Sequence, residues 1–201
     1  MSRYTGPRNK RARAVGADLG LKTSVVKVAR RLGTKPGQHG AKGQRKLSGF
    51  GIQLKEKQKL KYIYGVTEKQ LRGLYATATQ SSAATGEELL SLLERRIDNV
   101  LYRLGWAPTR AAARQLVNHG HVQVNGKKVS IPSYRVSVSE IITYTTRGLQ
   151  IPIAAQAVKD ETSTPAWLEK KQAVGHVARL PERVEITEAV EEQLVVEYYS
   201  R

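Results

Sequence analysis

Residues 109–129, TRAAARQLVNHGHVQVNGKKV, contain the signals for a helix, a helix stop and a tight hairpin in immediate succession. Thr109 is a favourable N-cap, and the apolar residues after it recur at helical spacing. Gly120 is a typical helix stop, and beyond it the residues alternate about Asn125-Gly126, the preferred type I′ hairpin pair. A helix that leads directly into a hairpin restricts this part of the chain to a small α+β unit.

The charge of this segment is entirely positive. Arg110 and Arg114 are four residues apart and share one face of the predicted helix. Leu116, Val117 and Val124 fit core-facing positions. The segment contains no acid, and its basic and titratable residues are Arg110, Arg114, His119, His121, Lys127 and Lys128.

The whole chain is strongly basic, and the excess charge lies in its first third. Among 201 residues, 34 Lys and Arg against 17 Asp and Glu give a net charge of +17. Residues 1–72 contain 19 of the basic and 3 of the acidic residues, a net +16, and residues 73–201 contribute only +1. A polyanion is therefore the expected partner: a nucleic acid, or less readily an anionic membrane surface.

Two stretches of this basic region lack the residues that a core needs. Residues 1–13 are predicted to form a flexible arm, and residues 33–46, GTKPGQHGAKGQRK, contain a single aliphatic residue, Ala41. Glycines let backbone amides approach a phosphate closely, and Lys and Arg supply charge. We expect an extended basic segment that becomes ordered on RNA. The P-loop spacing G-x-x-x-x-G-K-[ST] is absent, so nucleotide hydrolysis is not expected.

Apolar periodicity and capping signals predict three further helices. A lysine-rich helix is expected over 48–65 and a second over 67–79, opened by a Thr67–Gln70 capping box. A long amphipathic helix is expected over 87–105, behind a second capping box formed by Thr85 and Glu88.

Strands are predicted after the hairpin, at YRVSV (134–138) and EIITYTT (140–146). Pro165, Trp167 and Leu168 are predicted to lie in a short packed helix. The last residues are acidic, and we expect them to pack on the basic helices of the same chain, to meet a protein neighbour, or simply to be solvated.

Several chemistries are not expected. The chain has no cysteine, which removes disulfides, thiolate catalysis and Cys-based metal sites. Its four His residues, at 39, 119, 121 and 176, lie at no ligand spacing on a helix, so no metal and no cofactor is predicted. No catalytic constellation or small-molecule site is recognisable. Without a long apolar run or a secretory signal, we expect a cytoplasmic protein with no membrane partner.

Residues 96–136 resemble the small RNA-binding domain named after the fourth protein of the small ribosomal subunit. The likeness continues in order along the chain, at MSRYTGPR (1–8), KPGQHG (35–40), GIQLKEKQKLKYIYG (51–65), TGEELLSLLERRIDNV (85–100), WLE (167–169) and VVEYYSR (195–201). On these motifs the chain resembles the small-subunit ribosomal protein four family as a whole.

The resemblance implies a structural constituent of the small ribosomal subunit. It implies binding to the 5′ domain of small-subunit rRNA at a multi-helix junction, nucleation of subunit assembly, and a contribution where mRNA enters the subunit and to decoding accuracy. The implied partners are this rRNA, small-subunit proteins five and three, and mRNA. The implied location is the ribosome of the cytoplasm, or of the plastid stroma if the source is a plastid.

The resemblance also implies an architecture. The expected fold class is α+β: a helical domain with a basic extended N-terminal arm, and an inserted small helix–helix–β-sheet RNA-binding domain. We place the arm and glycine-rich loop at 1–46, the helical domain at 47–94 and the RNA-binding domain at 95–159. Residues 160–201 are expected to pack back on the helical domain.

RNA contacts are predicted from the basic stretches and, for the middle domain, from the matched family positions. Phosphate neutralisation and shape reading of A-form RNA are the expected chemistry. The predicted contact residues are Arg3, Tyr4, Arg8, Lys10, Arg11, Lys35, Gln38, His39, Lys42, Arg45, Lys46, Gln53, Lys57, Lys61, Arg72, Arg96, Arg103, Thr109, Arg110, Arg114, Gln115, His119, Lys127, Lys128 and Tyr134.

The chain departs from the family in two respects. Many members carry a zinc-binding cysteine cluster near the N-terminus, which this chain lacks, so residues 1–45 must be held in another way. Phe50 stands where the family often has Tyr, which loses a hydroxyl that could meet a phosphate.

Three alternatives share some of these features. An RNA-modifying or tRNA-charging enzyme can carry the same small domain, but no segment remains for a catalytic domain. A ribosome-associated quality-control or heat-shock factor would explain the middle domain without the full-length likeness. DNA binding is the third alternative, since the charge alone does not distinguish DNA from RNA.

Overall fold

The computed structural model of the chain describes residues 4–40, 46–160 and 163–201. The chain divides into two compact units. The helical unit comprises the residues up to Gly86 together with Glu188–Arg201, and the sheet unit comprises Glu87–Thr187. These divisions differ from the predicted boundaries at 94/95 and 159/160.

Among the described residues, the helical unit contains helices and no strands, whereas the sheet unit contains both helices and strands. In chain order they are α1 (Arg8–Val15), α2 (Val25–Ala29), α3 (Gly49–Ile63), α4 (Glu68–Ala78), α5 (Thr85–Glu94), α6 (Ile97–Arg103), α7 (Arg110–Asn118), β1 (Val122–Val124), β2 (Lys127–Val129), β3 (Ile141–Tyr144), α8 (Thr146–Leu149), α9 (Pro152–Lys159), β4 (Leu168–Lys171), β5 (Val174–Val177), a 3-10 turn (Arg183–Glu185) and α10 (Glu192–Tyr199). The mixture confirms the predicted α+β class.

In the helical unit, α3 packs against both α1 and α10. The predicted lysine-rich helix is confirmed as α3, which begins after Ser48, whose hydroxyl accepts the Gly51 N–H. The predicted capping box is also confirmed: Thr67 and Gln70 cap each other's backbone at the start of α4. Side-chain capping satisfies amide groups that a helix terminus leaves unpaired.

The prediction of a flexible arm over residues 1–13 is wrong from Arg8 onwards, because α1 begins there. The segment is rich in Arg, Lys and Ala, which favour helices, and Ala12 and Val15 are buried. Gly16 closes the helix in a left-handed conformation, φ 75°, and its N–H bonds to the Ala12 carbonyl. Even a strongly basic segment can therefore be ordered by two small apolar contacts and a good C-cap.

The sheet unit is built around one antiparallel sheet with the strand order β2-β1-β3-β5-β4. The predicted hairpin is confirmed, with Val122 opposite Val129 and Val124 opposite Lys127. At its turn, Asn125 and Gly126 have φ values of 48° and 75°, the left-handed pair that a type I′ turn requires.

One face of the sheet packs on α6 and α7 to form the core of this unit. Trp106 and Trp167 are almost fully buried in it, and Trp106 stacks on Tyr144 with ring centroids 4.9 Å apart. The predicted core residues Leu116, Val117 and Val124 are confirmed as buried members of the same cluster. This core fixes α7 and the hairpin relative to each other.

The predicted long helix over 87–105 is wrong in one respect, since it breaks between α5 and α6. Arg96 adopts an extended backbone conformation, φ −67° and ψ 134°, and forms an isolated antiparallel bridge with Arg135. The Ile97 N–H bonds to the Tyr134 carbonyl, and the Val136 N–H bonds to the Arg95 carbonyl. The backbone groups of Arg95 and Ile97, which a continuous helix would pair internally, are thus bonded to residues 134–136. The predicted strand YRVSV is reduced to this bridge.

The predictions for the C-terminal third need correction. The expected short helix around Leu168 is instead strand β4, and β4 and β5 extend the sheet through pairing of β5 with β3. Residues 163–187 therefore belong to the sheet unit, and only the segment from Glu188 onwards belongs to the helical unit. The four-residue strands carry too little apolar periodicity to be distinguished from a helical turn by pattern alone.

In the described part of the chain, each helix is too short or too polar to cross a lipid bilayer.

Candidate nucleic-acid interface

Helix α7 presents a polar face beside the exposed tip of the β1–β2 hairpin. Thr109 caps the helix by accepting the Ala112 N–H at 3.2 Å, so its side chain is largely buried and structural. Ala113, Leu116 and Val117 pack into the core. The predicted RNA contacts that remain exposed on this helix and hairpin are Gln115, His119, Lys127 and Lys128.

The Lys128 side chain of β2 lies close to the backbone just after α7. Gly120 has φ 68°, and a Cβ placed there would collide with the Lys128 side chain, which therefore lies directly over the backbone. The His119 and His121 rings lie 6.0 Å apart, centroid to centroid. Burial lowers the pKa of His121, and the neighbouring His119 and Lys128 lower it further. The lowered pKa of His121 disfavours its protonated form in this corner.

Beneath this surface, Asp98 holds two arginines. Its carboxylate accepts hydrogen bonds from Arg96 Nε and Nη2 at 3.1 and 2.9 Å. The same carboxylate accepts from Arg114 Nε and Nη2 at 2.8 and 2.6 Å. The side chains of Arg96 and Asp98 are each 4% exposed, so the predicted contact Arg96 is buried inside the unit and shares the Asp98 carboxylate with Arg114.

A second buried carboxylate, Glu94, organises the neighbouring arginines. It accepts from Arg103 Nε and Nη2 at 2.9 and 2.7 Å and from Asn99 Nδ2 at 2.7 Å. Asn99 Oδ1 in turn accepts from Arg110 Nε at 2.7 Å. The Arg110 guanidinium also lies over the Tyr102 ring, 4.4 Å from its centroid. Four arginines of α6, α7 and the residue before α6 are thus held in two hydrogen-bonded groups, one on Asp98 and one on Glu94 and Asn99, which together form the arginine layer.

Glu94, Asp98 and Asn99 were missed by the sequence interpretation. Acidic side chains repel phosphate, so they are not expected at a phosphate-binding site. Whether a residue is buried cannot be read from one sequence. The available signal was the run ERRIDN at 94–99, in which two acids flank two arginines and an isoleucine inside an apolar stripe. Charged residues at buried positions are expected only when they pair with one another.

Tyr134 is held within the sheet unit. Its hydroxyl donates to Glu140 Oε1 at 2.6 Å, and this bond, with partial burial and the charge of Glu140, raises the pKa of Tyr134. The phenol therefore remains protonated at neutral pH.

In the helical unit, Arg11 lies between two tyrosines. Its guanidinium carbon is 3.6 Å from the Tyr4 ring centroid and 4.7 Å from the Tyr62 ring centroid. Arg8 donates from Nη1 to the Leu21 carbonyl at 3.2 Å, while Lys10 is exposed. Cation–π contacts of this kind fix the plane of the guanidinium group.

Two predicted RNA contacts, Gln53 and Lys57, are instead buried packing residues between α3 and its neighbours. Gln53 Nε2 donates to Glu197 at 2.8 Å, and Lys57 Nζ lies 2.7 Å from Glu68 and 4.2 Å from the Tyr198 ring centroid. The lysine-rich polar face of α3 is therefore partly an internal ion-pair surface.

The carboxylate of Glu68 also binds groups other than Lys57. It also lies 2.9 Å from Lys61 Nζ and accepts from the Tyr199 hydroxyl at 2.8 Å. Burial alone would raise the pKa of Glu68, but the hydrogen bonds from Lys57, Lys61 and Tyr199 outweigh it and lower that pKa to about 2. The half-buried Lys61 thus also has an internal partner.

The other predicted contacts of this unit have accessible side chains. Lys35 is half-buried, and the exposed ones are Gln38, His39, Lys46 and Arg72. The predicted contacts Arg3, Lys42 and Arg45 lie outside the described residues.

Among the described residues, no three or more His, Asp or Glu side chains converge as a metal site would require. The polar chemistry that this surface does offer is guanidinium, ammonium and amide donors, which suit phosphate and sugar oxygens.

Comparison with known proteins places this geometry in a family context. Residues 3–94 match the family described as the Ribosomal protein S4/S9 N-terminal domain, and residues 95–142 match the S4 domain. The chain is 46% identical over 203 aligned residues to the small ribosomal subunit protein uS4 of Brevibacillus brevis, with 100% of both chains covered. It is 47% identical over 204 residues to the uS4 proteins of Streptococcus suis and Streptococcus pneumoniae, with 100% of this chain and 99% of theirs covered.

Proposed function

Because the chain belongs to the small ribosomal subunit protein uS4 family, we propose that it binds the 5′ domain of small-subunit rRNA at a multi-helix junction and nucleates subunit assembly there. The chain is a structural constituent of the small ribosomal subunit and not an enzyme.

The observation that carries the proposed rRNA contact is the acid-free surface of residues 109–129. Its exposed Lys127 and Lys128 lie on a hairpin whose strands and whose preceding helix share one core, so their spacing is rigid. Phosphate contacts from rigid elements fix register and orientation, and the shape of the RNA supplies specificity. The basic α1 region, with exposed Lys10 and the tyrosine-flanked Arg11, adds a second cationic surface.

The remaining parts of the proposal rest on the family resemblance. They are contacts with small-subunit proteins five and three, a position where mRNA enters the subunit, contact with mRNA itself, and an influence on decoding accuracy. The exposed Gln38 and His39 next to a glycine-rich basic stretch support a further RNA contact.

The test is a binding titration with an rRNA fragment of the 5′ domain and with duplex RNA of equal length. Wild type is compared with Lys127→Ala/Lys128→Ala, which removes two exposed charges. A matched control, Arg147→Ala/Lys171→Ala, removes two exposed charges elsewhere in the sheet unit.

We expect tighter binding to the junction fragment than to the duplex, and loss of that preference in the hairpin variant alone. The slope of log K against log salt should fall by about two in the hairpin variant, one unit for each lost phosphate contact. Equal affinity of the wild type for both RNAs would overturn the proposal.

A further inference from the structure

Two carboxylates lie buried in a protein that carries a large positive charge. The side chains of Glu94 and Asp98 are 1% and 4% exposed. A buried carboxylate is costly unless it is paired, and a buried pair is often no more stabilising than well-packed apolar residues. A contribution to stability therefore explains only weakly why two acids occupy these positions.

Both carboxylates hold arginine side chains in fixed positions. Asp98 fixes Arg96 and Arg114, Glu94 fixes Arg103, and Asn99, itself held by Glu94, fixes Arg110. The bonds to Arg114 and Arg103 each use Nε and Nη2, so the plane of each guanidinium is set as well as its position. Four guanidinium charges stand against two carboxylate charges, which leaves this layer cationic.

Long side chains normally lose conformational entropy when they bind an anion, which weakens binding. An arginine that is already held in one orientation loses less, and its planar fork matches phosphate. An ordered arginine layer beside exposed lysines is therefore suited to one fixed arrangement of phosphates.

We propose that Asp98 and Glu94 are positioning residues for RNA binding, which order the arginines of α6 and α7 before the RNA arrives. This inference rests on the proposed rRNA-binding function and adds a role for residues that carry the same charge sign as the ligand.

For Asp98→Asn, the proposal and simple electrostatics predict opposite changes in RNA affinity. Asp98→Asn removes a negative charge, so long-range attraction alone would tighten RNA binding. Loss of the ordered arginines should instead weaken binding of the 5′-domain fragment by roughly tenfold, the order expected for one or two side chains that must be immobilised again. The control Glu169→Gln makes the same charge change at a side chain that is 57% exposed, and its affinity should equal or exceed that of wild type.

A double-mutant cycle separates positioning from a general loss of structure. If Asp98 acts through Arg114, the variant Asp98→Asn/Arg114→Ala should bind no more weakly than Arg114→Ala alone. If Asp98 only stabilises the fold, the two losses should multiply. Thermal unfolding of each variant checks folding, and if Asp98→Asn does not fold, the cycle of Glu94→Gln with Arg103→Ala decides by the same criteria.

NMR of the arginine Nε–H groups in the RNA-free chain provides a readout that is independent of RNA. Arg114 should be ordered in wild type and mobile in Asp98→Asn. An Arg114 side chain that is mobile in wild type, or RNA binding by Asp98→Asn as tight as that of Glu169→Gln, would overturn the inference. Equal wild-type affinity for junction and duplex would instead overturn the proposed function, while the NMR result would still decide whether Asp98 orders Arg114.

Discussion

Glu68 Oε1 lies 2.7 Å from Lys57 Nζ, and this contact joins α4 to the buried face of α3. Because Glu68 has a pKa of about 2, below its ordinary 4.5, its stabilising contribution is complete above about pH 4.5. That contribution should be lost as the pH falls from 4.5 towards 2, because the unfolded state then binds the proton more readily. Urea unfolding followed by circular dichroism at pH 6 and pH 3 measures the loss.

The variant Glu68→Gln should be less stable than wild type at pH 6 and should lose less stability between pH 6 and pH 3. Glu87→Gln, at an exposed position, is the control and should follow the wild-type pH dependence. An unchanged pH dependence in Glu68→Gln would contradict the assigned role of this carboxylate.

Tyr144→Phe should destabilise the sheet unit by about 1–2 kcal/mol, because the buried Trp106 carbonyl loses its hydrogen bond. The Tyr144 hydroxyl donates to that carbonyl at 2.9 Å, and burial raises the pKa of the phenol. Both tryptophans of the chain lie in this unit, so tryptophan fluorescence in urea reports its unfolding specifically. Tyr102→Phe, at a half-buried ring, is the comparison, and an equal cost in both variants would argue against a special role for the bond.

Gly175→Ala should cost about 1–3 kcal/mol through overpacking. A Cβ at this position would lie 2.6 Å from Leu104 Cδ1, and Leu104 is fully buried, so the core must shift to accept it. The same fluorescence measurement applies. In the background of Gly175→Ala, Leu104→Ala should cost clearly less than it does alone, because the two changes share one contact. Additive losses would show that the sheet accommodates the methyl group elsewhere.

RNA binding should depend steeply on salt. If about 8–10 phosphates are contacted, the affinity for the 5′-domain fragment should fall by about four orders of magnitude between 50 and 200 mM salt. Fluorescence anisotropy at four or five salt concentrations gives the slope. A flat profile would be incompatible with a binding surface made of lysine and arginine.

Local patterns predicted local structure well. The α7 helix, the Asn125-Gly126 hairpin and the Thr67–Gln70 capping box were all predictable because each depends on residues within one or two turns. The break between α5 and α6 was not, because it depends on hydrogen bonds from residues 134–136, which are distant in sequence. Strand β5 was missed for the same reason, since its partner β3 precedes it by more than twenty residues, and β4 joins the sheet only through β5.

The sequence predicted which residue types form the candidate site, but not which of them are buried. The sequence indicates which residues are basic, and all the lysines predicted around the hairpin are exposed. It does not indicate that Lys57 meets Glu68 or that Arg96 meets Asp98, because pairing of opposite charges depends on the packing of the folded chain. Which basic residues of a predicted helix have an internal partner is therefore known only from the folded structure.

The helical unit is assembled from residues up to Gly86 and from Glu188 onwards, with a complete folded unit between them in sequence. A chain synthesised from its N-terminus will therefore finish the sheet unit before α10 exists. During that interval the α3 residues Gln53 and Lys57 have not yet met Glu197 and Tyr198, which come from α10. The helical unit can therefore reach its final packing only after the whole sheet unit has been synthesised.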